Sequence, residues 1–260
     1  MLRFQPLSVH RLKRYVARQL RRDDIYIVAK TPQATSTPAT RTPPDRLLRF
    51  GELLLFYFLV PVLPLFDVSP SLYGPLFGIT AVVLTVLGLI ERRRRKRAGG
   101  AAPDKAVRRL LSWPRDLPAL ATVFVLFAVV STVVIWRFAP EQLFQAPREA
   151  PGLWLLFWLI YSLGSVAPQE GLFRVVFFQR YSLLWGGKRT PGVLINAASF
   201  SLAHALMGHP MVYLLTFGGG LIFAQHWLRE RNFLSLCVLH SAYGLWLFTV
   251  GLGPVFGFPF

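Results

Sequence analysis

A few polar side chains interrupt otherwise apolar stretches in the second half of the chain, and their types suit hydrolysis. Gln169, Glu170 and Arg174 lie in VAPQEGLFRVVFF, His204 in INAASFSLAHALMGHP and His240 in LCVLHSAYGLWLF. Ionisable groups inside apolar helices are costly unless partnered, which makes each a functional candidate by default. Glu170 and Arg174 are four residues apart, so they share a helical face and can pair. Pairing keeps the carboxylate ionised and offsets part of its burial cost. Gln169 falls on the adjacent face. Pro168, just before, suits a helix start, where free backbone donors favour a carboxylate. His204 and His240 come from two further helices. Three helices can therefore aim one carboxylate and two imidazoles at a common point, where they would polarise a water and steady a developing oxyanion. A dry site strengthens both effects. Each residue also has a plainer reading. A Glu–Arg pair can simply lock helices together, and a lone histidine can be hydrogen-bonded packing. Glu52, His209 and His226, close to polar breaks, are expected at the interface.

The elements that would position these groups read as membrane helices. Hydrophobic residues make up 53% of the 260 residues and charged residues 16%, with a mean hydropathy of +0.45. That balance argues against a water-soluble enzyme of this size. From Phe50 onward, apolar stretches alternate with short polar breaks, predicting helices at 50–66, 72–90, 117–136, 151–168, 169–185, 192–207, 211–228 and 233–250. Several have about the twenty residues a bilayer crossing needs. The expected architecture is an all-α, polytopic membrane bundle of about eight helices with a basic N-terminal cytoplasmic arm. It divides into the arm and a Thr/Pro/Ala-rich linker at 1–49, two membrane helices and a basic loop at 50–114, a core at 115–250 and a tail at 251–260.

Charge sets the orientation. The first 49 residues hold eleven Lys or Arg and segment 91–116 holds ten more. Two apolar helices separate them, so both are expected in the cytoplasm. Eight crossings would bring the C-terminus back to that side and leave Lys188, Arg189, Arg229 and Arg231 outside, a mild conflict with the rule. The arm's Val9, Leu12, Val16 and Leu20 stand at helical spacing among basic residues, a pattern that suits an anionic lipid surface. The net charge of +17 lies outside the apolar segments, so nucleic acid is not an expected partner. The single cysteine, Cys237, permits no internal disulfide and no cysteine metal cluster.

Three short motifs in order resemble the CPBP (CAAX protease and bacteriocin-processing, Abi- and Rce1-like) family of intramembrane proteases. The family's Glu-Glu-x-x-x-Arg corresponds to Gln169-Glu170-Gly171-Leu172-Phe173-Arg174, and its Phe-x-x-x-His to Phe200-Ser201-Leu202-Ala203-His204. Its His-x-x-x-Asn corresponds to His240-Ser241-Ala242-Tyr243-Gly244 at the histidine alone. The resemblance covers about 115 to 250. It implies a glutamic-type (formerly called metallo-) endopeptidase. In that mechanism the leading Glu and the second motif's His activate a water, and the third motif's His and Asn stabilise the oxyanion. No cofactor or resident metal is implied. The implied partners are membrane lipids and a membrane-associated or prenylated protein or peptide substrate, with a bacterial inner membrane as the expected location. Two positions depart from the pattern. The leading Glu is Gln169, and an amide is no base near neutral pH. The closing Asn is Gly244, which has no side-chain donor. Two readings follow: Glu170 takes over as base with His204 helping and His240 as donor, or the chain is an inactive scaffold, chaperone or immunity protein. A third, an ion-coupled transporter, draws on buried Glu170 and on Gly218-Gly219-Gly220 as a possible helix break.

Overall fold

The computed structural model describes residues 43–66, 68–97, 114 and 117–257. The expected basic arm up to residue 42, including its lipid-facing helix, and loop segment 98–113 lie outside the described residues. Among the described residues the secondary structure is helical throughout. Seven rods make up the bundle: α1 (43–66), α2 (Pro70–Arg97), α3 (Leu117–Phe138), α4 (Pro151–Trp185), α5 (Arg189–Leu202), α6 (Pro210–Glu230) and α7 (Phe233–Val250). All but α5 are long and apolar enough to cross a membrane, which gives six candidate spans. Along α3 the side chains of Val125, Leu126, Val129, Val130 and Val133 are exposed and Ile135 is buried. Such a surface is stable against lipid and not against water. The chain is an integral, multi-pass membrane protein.

The predicted segments 151–168 and 169–185 run into one another as a single 35-residue rod. Pro168 does not break it. Residues 161–166 form a wide π turn immediately before the proline, and 171–176 form another just after. A proline ring strains the carbonyl four residues back and removes one ladder bond; a widened turn absorbs both, and such turns are common at functional sites.

This continuity changes the topology. Arg180, near the end of α4, makes a bidentate pair with Glu52 of α1 at 2.6 and 2.7 Å. Arg49 of α1 contacts Glu91 of α2 at 3.3 Å. At the other end of α4, Trp154 Nε1 donates to Thr249 Oγ1 of α7 at 3.0 Å. The start of α1 and the end of α7 therefore lie at opposite ends of the bundle. The turn at 205–207 reaches the far end of α1 at 63–66, so α5 and α6 also run from end to end. Six candidate spans, with the shorter α5 also running between the two ends of the bundle, stand where eight crossings were expected, and the C-terminal end of α7 does not return to the side where α1 begins. Lys188 and Arg189 follow α4 directly, and Arg189 donates to the Gln225 carbonyl of α6 at 3.1 Å. The four basic residues expected outside thus join the end that carries Arg49 and the Arg92–Arg94 run, and the conflict in charge placement disappears.

Two further expectations change with the packing. Glu52 does not simply sit at the interface but ties α1 to α4. His226 is buried, its Nε2 at 2.8 Å from Ser235 Oγ across the α6–α7 turn. His209 does sit at an exposed helix start, accepting from the Met211 amide at 3.1 Å. The glycine triplet interrupts nothing: α6 is continuous through it. Its role is close approach, for a Cβ on Gly220 would lie 2.9 Å from Ala197 Cα of α5. Gly220→Val is expected to cost about 1–3 kcal/mol. Gly218→Ala, which meets open space, should stay within about 1 kcal/mol of the parent. Thermal unfolding in detergent checks both.

Candidate active site

The predicted groups sit on α4, α7 and the end of α5. Glu170 and Arg174 are both fully buried. Arg174 Nε lies 3.3 Å from Glu170 Oε2, the expected i,i+4 pair. The guanidinium makes no aligned hydrogen bond to a described residue. Instead it stacks over the Phe200 ring at 4.3 Å and approaches Phe223 at 5.6 Å. Cation–π contact is the compensation an apolar interior offers a delocalised cation. The other oxygen of Glu170, Oε1, accepts from His240 Nδ1 at 2.7 Å. One carboxylate thus joins an arginine on its own helix to a histidine on α7.

That bond settles which nitrogen of His240 is free. A carboxylate only accepts, so Nδ1 carries the proton and Nε2 is the ring's other, outward atom. Phe223 stacks on the imidazole at 4.6 Å and 25°, fixing its plane. His204 follows the same logic. Its Nδ1 is 2.8 Å from the Phe200 carbonyl, which also only accepts. Phe200 touches both imidazoles, with ring centroids at 4.8 Å from His204 and 5.6 Å from His240. Phe200, which the motif marks only by its first position, is the hub on which Arg174, His204 and His240 are arranged.

A cavity of about 640 Å³ opens beside these groups, bounded by α3, α4, α6 and α7 and by the C-terminal turn at Phe256. The size suits a ligand or a peptide segment. Gln169, His204 and His240 line it, with Tyr161, Ser165 and Gly244; Glu170 and Arg174 do not. The expectation that Glu170 acts directly on a water meets a carboxylate turned away from the cavity, with its oxygens toward His240 and Arg174. Gln169 holds the cavity wall instead. Its Nε2 donates to Ser165 Oγ at 2.7 Å, while its Oε1 has no hydrogen-bond partner among the described residues. Those residues also contain no group of three or more His, Cys, Asp or Glu placed to share a metal ion.

Sequence reasoning missed Tyr161 and Ser165. With Gln169 they recur every four residues, a polar stripe on one face of an apolar helix, and that spacing was the available signal. The Tyr161 hydroxyl is 3.5 Å from His240 Nε2.

Residues 151–246 match the family described as Type II CAAX prenyl endopeptidase Rce1-like. No curated protein and no solved structure matches the chain. The segment that carries Glu170, Arg174, His204 and His240 is therefore similar to the Rce1-like family, a family of CAAX-protease-type membrane endopeptidases.

Removing one member of the buried pair should destabilise more than removing both. Glu170→Gln leaves Arg174 without a counter-charge, at an expected loss of about 3–5 kcal/mol. Glu170→Leu combined with Arg174→Leu is expected to be milder than either single change. Denaturant titration in detergent micelles measures the difference.

Proposed function

We propose that the protein is an intramembrane endopeptidase that hydrolyses a peptide bond with a water activated by His240. The observation that carries this is the imidazole with one nitrogen on buried Glu170 and its ring on the cavity wall. Arg174 and Glu170 cancel in charge, so a neutral His240 leaves the buried trio uncharged and Nε2 with a lone pair. As a water oxygen attacks the substrate carbonyl carbon, its proton passes to Nε2. The resulting imidazolium is steadied by Glu170, as a carboxylate steadies the histidine of other hydrolytic sites. The proton then moves to the leaving nitrogen as the C–N bond breaks, giving a carboxylic acid and an amine. His240 is the catalytic base in this reading, and Glu170 and Arg174 are positioning residues. His204 presents a second imidazole to the same space, and Gln169 supplies an amide at the wall.

The substrate class that fits is a membrane-associated or prenylated peptide. The cavity is largely apolar and lies within the bundle. Glu170 is ten residues from the headgroup-level Arg180, about 15 Å along the helix, near the middle of a hydrocarbon layer about 30 Å thick. Among the described residues most basic groups, including Arg49, the Arg92–Arg94 run and Arg189, gather at the Arg180 end, which we place in the cytoplasm by the positive-inside rule.

A second reading is favoured by Gln169 itself. An amide where the family has a carboxylate suits a chain that holds a membrane peptide without cutting it. Turnover of a farnesylated CAAX-type peptide by purified protein separates the two. The endopeptidase reading expects wild-type cleavage, a loss of about 100- to 10,000-fold in His240→Ala, a marked loss in His204→Ala and a gain in Gln169→Glu. Silence in the wild type with activity appearing only in Gln169→Glu would leave the binding reading standing.

A further inference from the structure

We propose that the Tyr161 hydroxyl is the oxyanion donor of this site, occupying the space that a side chain at position 244 would fill. The inference rests on the endopeptidase reading above and adds a catalytic residue to it.

Gly244 lies one helical turn beyond His240 on α7, where a longer residue would face the cavity beside the imidazole. It has no room for one. A Cβ built on Gly244 overlaps the Tyr161 hydroxyl and falls 2.6 and 2.7 Å from ring atoms Cζ and Cε1. The missing side chain at 244 and the tyrosine on α4 are thus one feature. Glycine is what admits the phenol, and the phenol brings an O–H to the place the backbone leaves bare.

The hydroxyl is held for that purpose. The Tyr161 ring stacks on Phe157 at 5.4 Å and meets Phe248 at 5.6 Å, so the phenol swings little. Its oxygen stands 3.5 Å from His240 Nε2. That is longer than a well-formed hydrogen bond, so the proton is not committed to the imidazole and can be given to a third atom. A carbonyl oxygen lodged beside Nε2 would meet the phenol as the attacking water meets the histidine. A neutral O–H is suited to this depth, since it donates to a developing oxyanion without adding a buried charge.

Tyr161→Phe keeps the ring and removes only the oxygen, so its melting temperature should match the parent. With the farnesylated CAAX-type peptide, kcat should fall about 100- to 1000-fold, with KM within about threefold. A tetrahedral phosphonate analogue of the same peptide should bind Tyr161→Phe at least tenfold more weakly than wild type, while affinity for the uncleaved amide changes less than threefold. Tyr161→Ala should lose the same activity, and adding Gly244→Asn to it should recover at least tenfold, since the asparagine now has both the space and the donor. Equal phosphonate binding by wild type and Tyr161→Phe would overturn the assignment, as would a kcat within threefold or an absent recovery in the double variant. Should the wild type cut nothing and still prefer the phosphonate through Tyr161, the donor role stands and hydrolysis is what fails.

Discussion

A carboxylate buried at the centre of an apolar bundle is the constraint from which the rest follows. Glu170 has no exposure, so every lone pair must be matched within the protein. Arg174 supplies the opposite charge from one turn along the same helix, and His240 supplies a donor from another. The arginine in turn has to be accommodated, and the faces of Phe200 and Phe223 do that. Each partner fixes the next. The carboxylate orients the imidazole, the imidazole stacks on Phe223, and Phe200 bridges the guanidinium and both histidines. The polar centre is therefore a connected unit in which no member keeps its place alone, as expected where the effective dielectric is low.

The backbone around this unit is shaped to present it. Two wide π turns flank Pro168–Glu170 on α4. They shift the register of side chains along the rod, so that Tyr161, Ser165 and Gln169 fall on the cavity while Glu170 and Arg174 fall on the core. Adjacent residues 169 and 170 point to different environments, which explains how one motif can both line a site and support it from behind. Close approaches between helices complete the frame. Gly220 lets α6 sit on α5, and Gly244 lets the α4 tyrosine enter beside α7. The same smallness serves packing at one position and chemistry at the other.

The membrane accounts for what remains. With lipid-facing rods such as α3 contributing mostly exposed aliphatic surface, the interior has few polar groups to spare. The buried charged groups among the described residues gather at the Glu170 centre or at the charged end where Glu52, Arg49, Glu91 and Arg180 tie α1, α2 and α4. Anchoring at one end and an apolar cavity in the middle together give a space that is shielded from water at large yet lined by two imidazoles. The Rce1-like segment, 151–246, contains every residue of the polar centre.

Much of this was legible in the residues. Apolar runs of sufficient length specified a helical membrane bundle, and the Glu170–Arg174 spacing specified their pairing, because both depend on periodicities that a chain carries within itself. His204 and His240 stood out because isolated imidazoles in apolar helices are rare. What the linear pattern left open were relations between helices. Pro168 read as a helix start, and only the widened turn before it made one rod of two segments, reversing the side on which α7 ends. Gly244 read as the loss of a side-chain donor, and only the position of Tyr161, distant in sequence, made it an accommodation. Glu170 read as facing the reaction, and only its bond to His240 turned it inward. In each case the deciding quantity is a distance between residues far apart along the chain. Local spacing determines which faces exist, but the packing of one rod against another determines what each face meets.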